Sequence, residues 1–139
     1  MRKGSGGGSD SKRAYVLDTA ALLLGFRGGA NLYTTDLAVR EVVYGEIQVA
    51  RLEAMLAAGI IKTIEPSTKA LTAVREASHR RGSKLSETDE SILATALELS
   101  KKFEEVYVVT DDYAVQSLAN SLGLRFIPLK LPGMRRRSK

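Results

Sequence analysis

Short apolar runs alternate with longer amphipathic stretches along this chain. Tyr15-Val16-Leu17, Leu32-Tyr33-Thr34, the run from Ile60 to Ile64, Val106-Tyr107-Val108-Val109 and Arg125-Phe126-Ile127 are too short for helices. Their β-branched and aromatic content predicts strands, with Val106–Val109 the most buried-looking. Between them lie helical patterns. One runs from Thr19 to Leu24 and closes at Gly25. A second is capped by Asp36 and runs through Leu37, Val39 and Val43 to Gly45. A third covers Glu46 to Ala58, with Ile47, Ala50, Met55 and Leu56 as its buried side. A more polar helix runs from Ser67 to about Arg81, where Gly82 and Ser83 break it. Ser86 opens the helix that carries Ile92, Leu93, Ala96 and Leu97. Asp111 or Asp112 opens the last, through Val115, Leu118 and Ala119 to Gly123. Strands alternating with helices predict an α/β fold whose mostly parallel sheet is covered on both faces.

The chain divides into three parts. Residues 1–13 read as a flexible Gly/Ser-rich leader, and order is expected from Ala14. Residues 14–129 form one domain, and 130–139 form a basic tail. The total charge is +5, but the leader carries +3 and the tail +5, which leaves the folded body at −3. The basic character therefore sits in the tails, where Arg135, Arg136 and Arg137 could hold a polyanion through its phosphates. No apolar run approaches the roughly 18 residues of a membrane span. There is no Cys, which excludes disulfides and Cys-bound zinc. The single His, His79, excludes a multi-His zinc site. There is no G-x-S-x-G elbow, and Gly25-Phe26-Arg27-Gly28-Gly29 lacks the ending of a phosphate-binding loop.

The chemistry lies in four acidic blocks: Asp18, Glu41, Asp89 and the pair Asp111-Asp112. Each has an ordinary local role. Asp18 suits an N-cap, Ser86-Glu87-Thr88-Asp89 is close to a capping box, Asp111 and Asp112 suit a first helical turn, and Glu41 suits a solvated helix face. Together they carry more. In a right-handed doubly wound sheet, strand ends and helix starts meet at one edge. Carboxylates crowded there repel one another, and a hard divalent cation relieves that repulsion. Such a site suits phosphodiester hydrolysis. Arg80, Arg81 and Lys84 precede the Asp89 block and would form a cationic rim that attracts phosphates. Aromatics are sparse, with Tyr113 and Phe26 as candidates for stacking on a base.

At these residues the chain resembles a PIN-domain ribonuclease over about 14–129. The likeness is carried by Val16-Leu17-Asp18-Thr19-Ala20, by Glu41 with Gly45 after it, by Leu85-Ser86 leading to Asp89, and by Val109-Thr110-Asp111-Asp112. Tyr33-Thr34-Thr35, Leu85–Asp89 and Thr110–Ser117 are most similar to the PIN domain of Nob-type endonucleases, which mature small-subunit rRNA. The resemblance implies a three-layer α/β/α sandwich and a Mg²⁺- or Mn²⁺-dependent endoribonuclease acting on single-stranded RNA. It implies that Asp18, Glu41, Asp89 and Asp112 are catalytic and hold the metal or its waters, with Asp111 assisting. It gives Thr19, Ser86 and Thr110 the task of orienting those carboxylates. Small-subunit rRNA precursor, ribosome-assembly proteins and a cytoplasmic setting follow from the same likeness, and PIN domains often form homodimers. Two alternatives are a VapC-like toxin covered by an antitoxin and a non-catalytic RNA-binding module. Nob-type proteins carry a Cys-ligated zinc ribbon after the PIN domain. Its absence here is a departure and leaves either a PIN-only piece or a free-standing relative.

Overall fold

The computed structural model describes residues 11–26, 29–45 and 49–129, without the side chains of residues 44, 45 and 49. The described elements are β1 (Arg13–Leu17), α1 (Thr19–Leu24), β2 (Leu32–Thr34), α2 (Asp36–Gly45), α3 (Val49–Ala57) and β3 (Ile61–Thr63). They continue with α4 (Thr68–Arg80), α5 (Glu87–Leu99), β4 (Glu105–Val109), α6 (Tyr113–Ser121) and β5 (Arg125–Ile127). The five strands form one sheet in the order β3-β2-β1-β4-β5. Every pairing among them is parallel. The chain winds outward from β1 through β2 to β3, then crosses back to β4 beside β1. The C-terminal ends of β1 and β4 therefore flank the point where the winding reverses, which is where open α/β sheets place their ligand crevice.

β1 lies at the centre, and Ala14 to Leu17 are all buried. It is the most buried strand, not β4 as the apolar run suggested. Glu105 and Tyr107 of β4 remain partly exposed. β1 also begins one residue before the expected start of order, because Arg13 pairs in register with Glu105 and binds its carboxylate at 2.9 Å. Tyr15 and Tyr107 stack across the pair with centroids 5.4 Å apart. The core extends into the helices through Val42, Leu52, Val74, Ile92, Leu93, Val115 and Leu118.

Helix boundaries follow local chemistry. Gly25 closes α1 in the left-handed region at φ 73°, a conformation that suits glycine. Ser67 and Ser86 cap α4 and α5, as their sequence predicts. The cap of α2 is Thr35, not Asp36: the Ala38 N–H donates to Thr35 Oγ1 at 3.3 Å, and Asp36 is already helical. Among the described side chains of α3 the buried one is Leu52, while Ala50 is exposed and Met55 and Leu56 are half-buried. The expected first turn of that helix, with Ile47, lies outside the described residues. Asp111 and Asp112 precede α6 and do not occupy its first turn.

Candidate active site

The end of β1 sets the first acid. Leu17 is in register with Val109, so Asp18 and Thr110 leave the sheet side by side. The Asp18 carboxylate caps α1 by accepting from the Ala21 N–H at 2.9 Å. It also accepts a hydrogen bond from the Thr110 hydroxyl. Thr110 is fully buried, and its Oγ1 accepts in turn from the Asp112 N–H at 3.0 Å. One threonine thus links both strand ends. The Asp112 carboxylate accepts from the Val115 N–H at 3.1 Å, which starts α6 beside Asp18. Asp111 is held on its other side, where its Oδ1 accepts from the Leu129 N–H at 2.6 Å beyond β5.

Glu41 reaches the same edge from the side of α2. Its residue is exposed, yet both oxygens are held. The Thr19 hydroxyl donates to Oε1 at 2.7 Å, and the Thr88 hydroxyl donates to Oε2 at 2.6 Å. Thr19 belongs to α1 and Thr88 to α5, so three helices meet on one carboxylate. Thr88 is itself buried, and Ser91 fixes its turn through hydrogen bonds to the Thr88 carbonyl at 2.7 Å and to Thr35 Oγ1 at 3.0 Å. The sequence reading identified Thr19 but passed over Thr88 as a spacer in the capping box. Its position one residue before Asp89, on the inward side of a first turn, was the available signal.

The capping box itself is present. The Asp89 N–H donates to Ser86 Oγ at 3.0 Å, and the Asp89 carboxylate accepts back from Ser86. Asp89 is thereby aimed while it caps.

The electrostatics bring the acids together. Burial pushes the Asp18 carboxyl above its usual range, and the neighbouring charges of Asp89 and Asp111 push it further against the hydrogen bonds from Thr110 and Ala21. Burial also raises the Asp89 carboxyl, with added repulsion from Asp112 and then Glu41, against its bonds to Ser86. Each of the five acids therefore lies within electrostatic reach of at least one other. Among the described residues no three side chains of His, Cys, Asp or Glu close around a single point. This donor set still fits Mg²⁺ or Mn²⁺. Such ions take oxygen ligands, bind one or two carboxylates directly and reach others through retained waters.

Arg80, Arg81 and Lys84 are all exposed, on or just after the end of α4. Arg81 Nη2 donates to Ser117 Oγ of α6 at 2.9 Å, so it is fastened to the helix that Asp112 opens. Arg135, Arg136 and Arg137 lie outside the described residues. Tyr113 follows Asp112 directly and is 81% exposed. Phe26, the other stacking candidate, is half-buried against Tyr15 at 5.9 Å, past the far end of α1. It is core-packed and does not line the acidic edge.

Known proteins resemble this chain in sequence and fold. The family described as the PIN domain of ribonuclease matches residues 15–99. The chain is 39% identical over 121 residues to an endoribonuclease Nob1 from Pyrococcus abyssi, covering 86% of this chain and 70% of that protein. It is 36% identical over 137 residues to ribonuclease VapC3 from Aeropyrum pernix, covering 96% and 99%. In three dimensions it is similar to a PilT N-terminus domain protein from the hyperthermophilic archaeon Sulfolobus solfataricus. The TM-score is 0.53 at 15% identity, over 82% of this chain and 85% of that one, a likeness of fold.

Proposed function

The chain belongs to the PIN-domain ribonuclease family, and from that premise we propose that it is a metal-dependent endoribonuclease that cuts single-stranded RNA. The observation that carries the proposal is the convergence of acids at one sheet edge, where the charge of Asp89 acts on Asp18 and the charges of Asp112 and Glu41 act on Asp89. Carboxylates crowded at one edge repel one another, and raised carboxyls such as those of Asp18 and Asp89 cluster at functional sites.

In this reading Asp18, Glu41, Asp89 and Asp112 hold Mg²⁺ or Mn²⁺ or its waters, with Asp111 at the margin. A divalent ion held there would lower the pKa of a water and neutralise charge developing on the phosphoryl group. The remaining work belongs to the chain's own side chains. Thr110 fixes Asp18 and the backbone of Asp112. Thr19 and Thr88 leave Glu41 one orientation, and Ser86 aims Asp89. Arg80, Arg81, Lys84 and the arginines of the tail would bind phosphates on either side of the scissile bond.

The endoribonuclease Nob1 relatives support small-subunit rRNA precursor as the substrate; a cytoplasmic setting among ribosome-assembly proteins is part of the same proposal. The identity across 99% of the Aeropyrum pernix ribonuclease supports a second reading, a VapC-like toxin whose pocket an antitoxin covers. Cleavage of a labelled RNA spanning the small-subunit rRNA three-prime end tests both, with Mn²⁺, with EDTA, and with Asp18→Asn and Asp89→Asn. One discrete cut that needs the metal and both acids supports the first. Metal-dependent cutting elsewhere in unrelated RNA supports the second. RNA binding without any cleavage would leave the non-catalytic module.

A further inference from the structure

We propose that Tyr113 and Arg81 together form a one-nucleotide subsite beside the acidic pocket. Tyr113 would stack on the base next to the scissile phosphate, and Arg81 would hold the following phosphate. This rests on the endoribonuclease reading and adds to it a register for the strand.

Tyr113 has no packing role to explain it. It is the most exposed large hydrophobic side chain among the described residues, at 81%. The other tyrosines with described side chains, Tyr15, Tyr33 and Tyr107, are packed in or against the core. A lone exposed ring is ordinary on a protein surface, and what singles out Tyr113 is its place directly after Asp112 with a cation tethered beside it. Its backbone is fixed, because Asp112 caps the helix that Tyr113 begins.

The second observation is the tether of Arg81. Tyr113 and Ser117 are four residues apart on α6 and share a helix face. Arg81 Nη2 donates to Ser117 Oγ at 2.9 Å, which brings the guanidinium onto that face one turn from the ring. Four residues of helix rise about 6 Å, a separation of the size of one nucleotide. A guanidinium has five N–H donors in a fork, so one bond to Ser117 leaves others for a phosphate. Asp112 caps α6, Tyr113 begins it, and Ser117 holds the Arg81 guanidinium one turn further on. An aromatic face with a cation following it is how single strands are held without reading their sequence.

Binding and cleavage on the full chain test this. In an Asp18→Asn background that blocks cutting, fluorescence anisotropy would follow an unstructured labelled RNA. Tyr113→Ala is expected to weaken binding about tenfold and Tyr113→Phe by less than about twofold, given the usual strength of base–aromatic stacking. Arg81→Ala is expected to weaken binding and to lower the salt dependence by about one phosphate contact. In the cleaving protein, an abasic nucleotide placed next to the mapped cut should slow wild type about tenfold and leave Tyr113→Ala unchanged. Equal binding and equal cutting by Tyr113→Ala would overturn the subsite and leave the nuclease reading standing. So would an abasic penalty that persists in full in Tyr113→Ala. A wild type that neither binds nor cuts RNA would overturn both.

Discussion

Thr88 and Glu41, 47 positions apart, are joined by a 2.6 Å hydrogen bond from the threonine hydroxyl to Oε2. With Thr19 on the other oxygen, Glu41 is held at both ends although it lies on an exposed face. A carboxylate this exposed would otherwise sample several rotamers. The bond is a means of aiming the acid, and its loss should be read in the chemistry more than in the fold. Thr88→Val removes the donor while keeping most of the shape. Its expected effect is a drop of about 10- to 100-fold in kcat, the range for groups that orient metal-binding side chains. KM for RNA should stay nearly constant and Thr88→Ser should recover most of the rate. Steady-state kinetics on the three proteins check this.

The raised carboxyls of Asp18 and Asp89 give a pH dependence of stability whose sign is fixed. Their folded pKa values lie above the unfolded ones, chiefly through burial. The folded state therefore holds protons that the unfolded state releases. The stability from this source is fully present below the unfolded pKa near 4 and is lost as pH rises through the raised folded values. Asp18→Asn and Asp89→Asn remove the loss, and Asn is as good an N-cap as Asp at position 18. Without added metal, the double variant should melt higher than wild type at pH 7, and the difference should shrink towards pH 4. Thermal melts across that range check it. A difference that grows on acidification would contradict the assigned direction.

The same repulsion predicts that divalent metal stabilises the protein. Binding to the folded state alone adds about 2.7 kcal/mol at a hundredfold excess over Kd. For a domain of this size that amounts to a rise of roughly 10 °C in Tm with Mg²⁺ or Mn²⁺. EDTA should reverse the rise, and Asp18→Asn with Asp89→Asn should abolish it. Calorimetry with and without the metal checks this apart from any nuclease assay.

Much of this architecture was legible in the chain, for identifiable reasons. The strand runs around Val16, Tyr33 and Val108 are short, apolar and separated by amphipathic stretches, so the alternation predicted a parallel sheet. Ser67 and Ser86 announced their helices because capping depends on neighbours within three residues. Thr35 was passed over because Asp36, an equally good cap, stands next to it, and only the path of the chain out of β2 selects between them. Leu52 was missed because the orientation of α3 depends on β3, and no local pattern reports that. At the site, the acids were visible as types, but Thr88 was not. Its partner is remote in sequence, and a buried hydroxyl in a first turn looks like any helix residue. The departure of Asp111 towards Leu129 was hidden for the same reason.

Thr110 shows why such a hydroxyl matters. It is fully buried, donates to Asp18 and accepts from the Asp112 N–H. Thr110→Val keeps the volume and the β-branch that suits the strand end, yet it strips both partners at once. A backbone N–H left without an acceptor near the core costs about 1–3 kcal/mol. Asp18 loses a bond that favours its charged form, so its carboxyl should rise still further. Thr110→Val is therefore expected to lower Tm by several degrees and to shift the acid limb of the pH–rate profile upward. Thr110→Ser keeps the hydroxyl and loses only a methyl, so it should fall in Tm without moving the profile. Melting and pH–rate curves on the pair separate the two roles. A shift of the acid limb in both variants would mean that packing, not the hydrogen bond, holds Asp18 in its charged form.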